Sequence, residues 1–211
     1  MSRHGYRYSA GSLIRHGLTR GEWPRMWSKP ERRSTYDVVI VGGGLHGLAT
    51  AYYLAKNHGM TNVAVVDKGY LGAGGSGRNT AIVRSNYLTP EGVAFYDRSL
   101  HLYNNMATDL NLNVMLSKRG HLTLAHTDSA LRTMNWRAEV NKLLDIDSSV
   151  IGPKEVKRLT PSLDVSPDTR YPILGALYHP PGGIVRHDAV VWGYARAAAY
   201  LGVHLLQGTE V

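Results

Sequence analysis

Tyr36-Asp37-Val38-Val39-Ile40-Val41-Gly42-Gly43-Gly44-Leu45-His46-Gly47-Leu48-Ala49-Thr50-Ala51 decides the fold. The opening run is continuous, apolar and β-branched, which predicts a strand buried on both faces. Helix formers follow the glycines at once and continue through Tyr52-Tyr53-Leu54-Ala55, with Gly59 placed to end the helix. Asn62-Val63-Ala64-Val65-Val66-Asp67 is a second strand of the buried type. Strand, helix and strand make a β-α-β unit, so the strands are expected to be parallel with a right-handed crossover.

Gly42, Gly44 and Gly47 fit the spacing G-x-G-x-x-G between a strand and a helix, the context in which that spacing carries information. Gly42 permits the tight turn, Gly44 lets backbone amides approach a pyrophosphate, and Gly47 lets helix and strand close on each other. Asp67 follows Gly47 by 20 residues, at the end of the second strand. A carboxylate there accepts hydrogen bonds from a ribose 2′-hydroxyl and repels a 2′-phosphate, which favours FAD or NAD over NADP. The next stretch, residues 69–79, is unusually rich in glycine and longer than a simple turn. Such a segment lets backbone approach a bulky planar ligand. Ser76, Arg78 and Asn79 offer polar contacts there; the alternative is a flexible surface loop.

Downstream, Thr89-Pro90-Glu91 reads as an N-cap and first helical turn, opening a helix towards Leu110. Leu122 and Leu124 alternate with polar neighbours as in a half-buried strand, and a helix is expected from Ser129 to Leu144. Further expectations are a strand over Leu174–Tyr178, a helix capped by Asp188 and running to Tyr200, and a strand over Val203–Gln207. His121 and His126, separated by an odd number on one strand, would face opposite ways and make a poor metal pair.

The chain has 211 residues and no cysteine, which excludes disulfides, thiolate metal centres and cysteine nucleophiles and is compatible with a reducing cytoplasm, the expected location. No window approaches the length of apolar sequence that a membrane helix needs, so no membrane partner is expected. The formal charge of +8 is unevenly placed: residues 1–33 hold eight basic and two acidic residues, leaving the body close to neutral. A nucleic-acid-binding domain would carry a basic face on its folded body, so no nucleic acid is expected either. Residues 1–35 form a basic arm whose makeup overlaps with a mitochondrial presequence. Trp23 and Trp27 favour an arm laid on another subunit, with a flexible terminus as the alternative.

Residues 36–55 together with Gly77-Arg78-Asn79-Thr80, Ile82-Val83-Arg84-Ser85-Asn86-Tyr87, Arg119-Gly120 and Gly183-Ile184-Val185-Arg186-His187-Asp188 resemble the family of heterotetrameric sarcosine oxidase β subunits, within the D-amino-acid-oxidase-like group. The Arg-Met-Trp of the arm, at 25–27, is similar too. The resemblance implies an α/β fold: a Rossmann-like FAD-binding domain over 36–87 and 181–211, with an inserted, incomplete α+β substrate and subunit-contact domain over 88–180. Family proteins continue well past Val211. The chain would then be an N-terminal fragment, lacking the later glycine motifs, and its 211 residues alone are not expected to be active.

By that resemblance Gly42, Gly44, Leu45, His46 and Gly47 face the FAD pyrophosphate, and Asp67, beside Lys68, stands where the family usually has Glu. Gly75 replaces a family Asn, while Ser76, Arg78, Asn79 and Thr80 belong to the flavin-side segment. Val211, placed on the strand after the last helix, aligns with a residue whose backbone meets the adenine. His187 aligns with the histidine that holds FMN covalently, and Arg84 with an arginine that pairs with the substrate carboxylate. Read from the residues alone, a single histidine before a helix N-cap such as His187 is more often an ordinary loop residue than a flavin anchor, and Arg84 is a structural ion pair as readily as a substrate contact.

The implied reaction oxidises sarcosine or a similar N-methyl amino acid. Hydride passes to FAD, electrons pass to FMN, and oxygen becomes hydrogen peroxide. The imine is released as formaldehyde or passed to tetrahydrofolate, with α, γ and δ subunits as partners. Two other readings stay open: another FAD-dependent amine or D-amino-acid dehydrogenase, and a truncated, catalytically inactive nucleotide-binding fragment.

Overall fold

The computed structural model describes residues 10–19 and 25–211. Trp23, one of the two arm tryptophans, lies outside the described residues. In chain order the elements are α1 (Ala10–Thr19), β1 (Val38–Val41), α2 (Leu45–His58), β2 (Val63–Asp67), a 3-10 turn (Gly75–Gly77), β3 (Ile82–Val83) and α3 (Pro90–Asp109). They continue with β4 (Ser117–Lys118), β5 (His121–Ala125), α4 (Asp128–Leu143), β6 (Ser149–Ile151), α5 (Pro153–Leu159), β7 (Gly175–His179), β8 (Gly183–Ile184), α6 (His187–Tyr200) and β9 (His204–Gln207). The chain divides into two compact units: residues up to Leu71 together with Tyr194–Val211, and Gly72–Gly193.

The first unit is a three-stranded sheet in the order β1-β2-β9, parallel throughout. Central β2 is buried along Val63–Val66, as its apolar run requires. Expected burial on both faces fails for β1, where Val39 is 53% and Val41 68% exposed. The reason is position. Among the described residues β1 pairs only with β2, and its residues alternate with the pleat between partly buried and exposed. Helix α2 ends where Gly59 turns left-handed at φ 66, its N–H bonding back to Ala55. Tyr52, Tyr53 and Tyr194 contact one another, and Ala64, Val66 and Leu206 form a core with Tyr36 against it.

Residues 25–33 lie along the same unit. Arg32 donates to Thr209 Oγ1 (3.0 Å) and Arg33 to Asn62 Oδ1 (2.8 Å). A cavity of about 640 Å³ separates this segment, including Trp27, from β9.

The second unit holds two antiparallel sheets, β3-β8-β4 and β5-β7-β6. Helix α4 packs on all three strands of the larger sheet, around Ala125, Met134, Ala138 and Leu177. Thr89 caps α3, its hydroxyl accepting the Gly92 N–H with Pro90 in the first turn. Thr127 caps α4 in the same way through Ala130 N–H.

Three local expectations are corrected. Helix α6 begins at His187, so Asp188 sits inside its first turn and pairs with Arg186 (2.6 Å) instead of capping from outside. Strand β9 stops at Gln207, leaving Val211 beyond the strand and 86% exposed. His126 lies past the end of β5, and its Nδ1 contacts the carbonyls of Tyr171 and Pro172. Among the described residues no helix is long and apolar enough to cross a membrane.

Candidate functional site

Within the first unit, Gly42 takes φ +108, a conformation that side chains resist, and its N–H donates to Val66 O (2.8 Å). What Gly42 supplies is therefore the turn itself. A Cβ on Gly47 would collide with the Gly42 carbonyl and crowd Ile40 of β1, so the close approach of helix to strand is obligatory. Gly44 precedes α2 in an extended conformation, and among the described residues no side chain caps the helix. That leaves the positive end of the helix dipole for a ligand anion. His46 is exposed, and Leu45 and Gly47 are partly so, in this first turn.

Asp67 ends β2 and turns towards that turn. Its Oδ2 accepts the Gly43 N–H (2.7 Å) and its Oδ1 the Gly69 N–H (2.8 Å). An ionised carboxylate has about four acceptor positions, so both oxygens keep capacity for ribose hydroxyls. Gly43 is the glycine that the spacing did not single out: a Cβ there would strike Leu71 and the Asp67 side chain. Lys68, adjoining Asp67, is exposed. Thr209 N–H donates to Asp67 O (2.8 Å), which brings the segment leading to Val211 back beside β2.

In the second unit the glycine-rich stretch is ordered by Asn79. Its Nδ2 donates to Gly75 O (3.1 Å) and Ser76 O (2.7 Å), while its Oδ1 accepts the Ala81 N–H (2.7 Å). The Asn79 side chain thus holds its own loop. Gly77 cannot gain a Cβ without meeting the Gly72 carbonyl, whereas a Cβ on Gly75 has open space. Arg78 and Thr80 are exposed. Ala81 stands at φ 57, uncommon for alanine, and is also held by the Val185 N–H donating to its carbonyl (3.0 Å).

This turn leads through β3 to Arg84. The guanidinium lies 4.3 Å over the Tyr87 ring, which stacks on Tyr96 at 3.8 Å. Its Nη1 donates to Asn86 Oδ1 (3.0 Å). Among the described residues no carboxylate pairs with Arg84, which sets aside the ion-pair alternative within them. Behind it, Ser85 N–H donates to His179 Nε2 (3.2 Å) and His179 Nδ1 contacts Asp147 O (2.7 Å), which fixes the proton of this fully buried histidine on Nδ1. His121 opposes His179 across β5 and β7. Burial, then the Arg84 cation, pushes His121 down to about 4. Burial likewise raises the Tyr87 phenol.

His187 opens α6 with its side chain partly exposed, beside the Arg186–Asp188 pair. No group of three His, Asp or Glu side chains among the described residues is arranged to hold a metal ion. The histidine pair, Tyr96, Asn86 and Arg137 were not anticipated from the residue pattern; opposition of His121 and His179 arises only from strand register.

A parallel β-α-β unit with an uncapped helix start, a glycine turn and an acid at the next strand's end defines a dinucleotide-binding protein. Residues 37–211 match the family FAD dependent oxidoreductase, and the chain belongs to that family. It is 48% identical over 206 residues to sarcosine oxidase subunit beta of Rhodobacter capsulatus, covering 97% of this chain and 50% of that protein. It is 48% identical to the same subunit of an Arthrobacter species, covering 88% of this chain and 46% of that one. Among solved structures it is similar to L-proline dehydrogenase from P. horikoshii, with a TM-score of 0.77 and 25% identity over 85% of this chain and 46% of the other. The chain spans about half the length of the curated relatives it matches.

Proposed function

We propose that this chain is the FAD-binding portion of a sarcosine oxidase β-type subunit and that the protein oxidises sarcosine or a similar N-methyl amino acid. The products would be glycine and formaldehyde or methylene-tetrahydrofolate, with hydrogen peroxide. The observation that carries the proposal is Arg84: a guanidinium stacked on Tyr87, oriented by Asn86, and without a carboxylate partner among the described residues. A guanidinium so placed suits a substrate carboxylate in two-point contact. Identity near 48% with sarcosine oxidase β subunits supports the substrate class.

FAD, when bound, supplies the electron acceptor for amine oxidation. The residues of this chain would hold it in place. Gly44 and the first turn of α2, with Leu45, His46 and Gly47, receive the diphosphate. Asp67, flanked by Lys68, accepts the ribose hydroxyls. Gly75, Ser76, Arg78, Asn79 and Thr80 form the flavin-side loop, and the backbone at Val211 meets the adenine. In this reading residues 36–87 and 181–211 serve FAD, and 88–180 serve the substrate and subunit contacts. His187 would carry FMN covalently, in a complex with α, γ and δ subunits in the cytoplasm.

The test is Arg84→Gln in the flavin-loaded protein. Loss of one charge-assisted contact to the substrate raises KM for sarcosine by roughly tenfold or more. A KM equal to the parent's would remove Arg84 from the substrate site. No turnover of sarcosine by the parent, with turnover of another amine or of a D-amino acid, would reassign the substrate.

A further inference from the structure

Asn86 is fully buried, and because its Oδ1 accepts from Arg84 the orientation of its amide is set. Its Nδ2 is left buried with no hydrogen-bond partner among the described residues. The same is true of Arg137 Nε and His121 Nδ1. These atoms share one neighbourhood. His121 and His179 stand on the face of β5 and β7 that carries Ala125 and Leu177, the face on which α4 packs, and Ser85, next to Arg84, donates to His179. Arg137 lies on α4 three residues after buried Met134 and four before buried Asn141, so it belongs to the face that packs on the β5-β7-β6 sheet.

A guanidinium on a packed helix face is unfavourable unless something neutralises it. Among the described residues neither Arg137 nor Arg84 has a carboxylate partner. The acids near this cluster, Asp147 and Asp97, are those sensed by His179. His121, held down to about 4, is neutral at pH 7 and adds no charge. Two fixed cations and two buried N–H donors, from Asn86 and Arg137, therefore belong to one neighbourhood that holds no carboxylate partner for them among the described residues.

We propose that Arg137 is a second carboxylate-anchoring residue of the amine substrate site, acting beside Arg84 with the Asn86 amide donating to the same carboxylate. The proposal rests on the sarcosine oxidase reading of Arg84 and adds a substrate contact from a helix that no sequence motif marks. Two cations facing one α-amino carboxylate select for amino acids, which carry that carboxylate, over simple N-methyl amines, with which the pair would stay unneutralised.

The experiment uses the flavin-loaded protein with sarcosine as substrate and acetate as the competing carboxylate. Arg137→Gln is expected to raise KM for sarcosine and the inhibition constant of acetate by the same factor, roughly tenfold or more, with kcat within about twofold. Arg137→Lys keeps the charge and most of the volume but loses the Nε–H, so an intermediate increase in both is expected. This second variant decides the matter if the first fails to fold. Unchanged KM and acetate inhibition in Arg137→Lys, or in a folded Arg137→Gln, overturn the role of Arg137; a fall in thermal stability alone would mark it as structural. If the parent oxidises sarcosine and is inhibited by acetate while the variants match it, only this proposal fails. If the parent does neither, the sarcosine reading itself fails.

Discussion

Asp67 Oδ2 accepts the Gly43 backbone N–H at 2.7 Å, joining the end of the second strand to the turn that follows the first. The carboxylate braces the glycine turn through two backbone amides, and in the proposed reading its remaining lone pairs accept the ribose hydroxyls. Asp67→Ala removes the anchor of two backbone amides as well as the ribose acceptor. FAD affinity is expected to fall by about 1.5–3 kcal/mol, the usual worth of hydrogen bonds to a charged group. Calorimetric titration of the apoprotein with FAD measures it; undiminished affinity would detach Asp67 from the nucleotide.

Glycines in the two turns are expected to differ sharply. Gly47→Ala drives a methyl into the Gly42 carbonyl and Ile40, and Gly77→Ala into the Gly72 carbonyl. Each is expected to destabilise the protein by several kcal/mol, as overpacking against backbone does. Gly75→Ala meets nothing within 4 Å and is expected to stay within about 0.5 kcal/mol of the parent. Thermal or urea unfolding of the three variants separates them, and equal effects at 47 and 75 would contradict the close helix–strand contact.

Acid sensitivity is expected to reside in the paired histidines of β5 and β7. Burial lowers both His121, to about 4, and His179 below their ordinary value of 6.5. A histidine depressed in the folded state binds its proton first in the unfolded chain, so folding stability declines as pH falls below 6.5 and levels off only near 4. Urea midpoints measured between pH 7.5 and 4 are expected to fall through this window. Replacement by His121→Gln should flatten the decline.

The β1-α2-β2 unit was legible because local pattern and backbone demand coincide there. β-branched runs form the strands, and the glycine spacing places the turn. The same pattern could not show that β1 would keep Val39 and Val41 exposed, since burial depends on which strands flank it. The requirement for glycine at 43 was hidden for a similar reason: the colliding Leu71 arrives from 28 residues away. Two-residue strands such as β3, β4 and β8 offer no periodicity to read. Arg137 was invisible because a lone arginine in a helical pattern reads as a solvated position, and only the packing of α4 on its sheet turns it inward.

His187 is expected to carry a flavin in the assembled protein. Peptide mass mapping after proteolysis should find an FMN adduct on the peptide containing His187, absent from His187→Ala. An unmodified His187 peptide from the flavin-loaded protein would exclude covalent attachment at this residue while leaving the Asp67 site untouched.

Anaerobic mixing of the flavin-loaded protein with sarcosine tests the whole account most directly. The expected result is bleaching of the long-wavelength flavin absorbance by sarcosine, with much weaker bleaching by glycine and by an N-methyl amine that lacks a carboxylate. A flavin spectrum that sarcosine leaves unchanged, in a protein that demonstrably holds FAD, would contradict it.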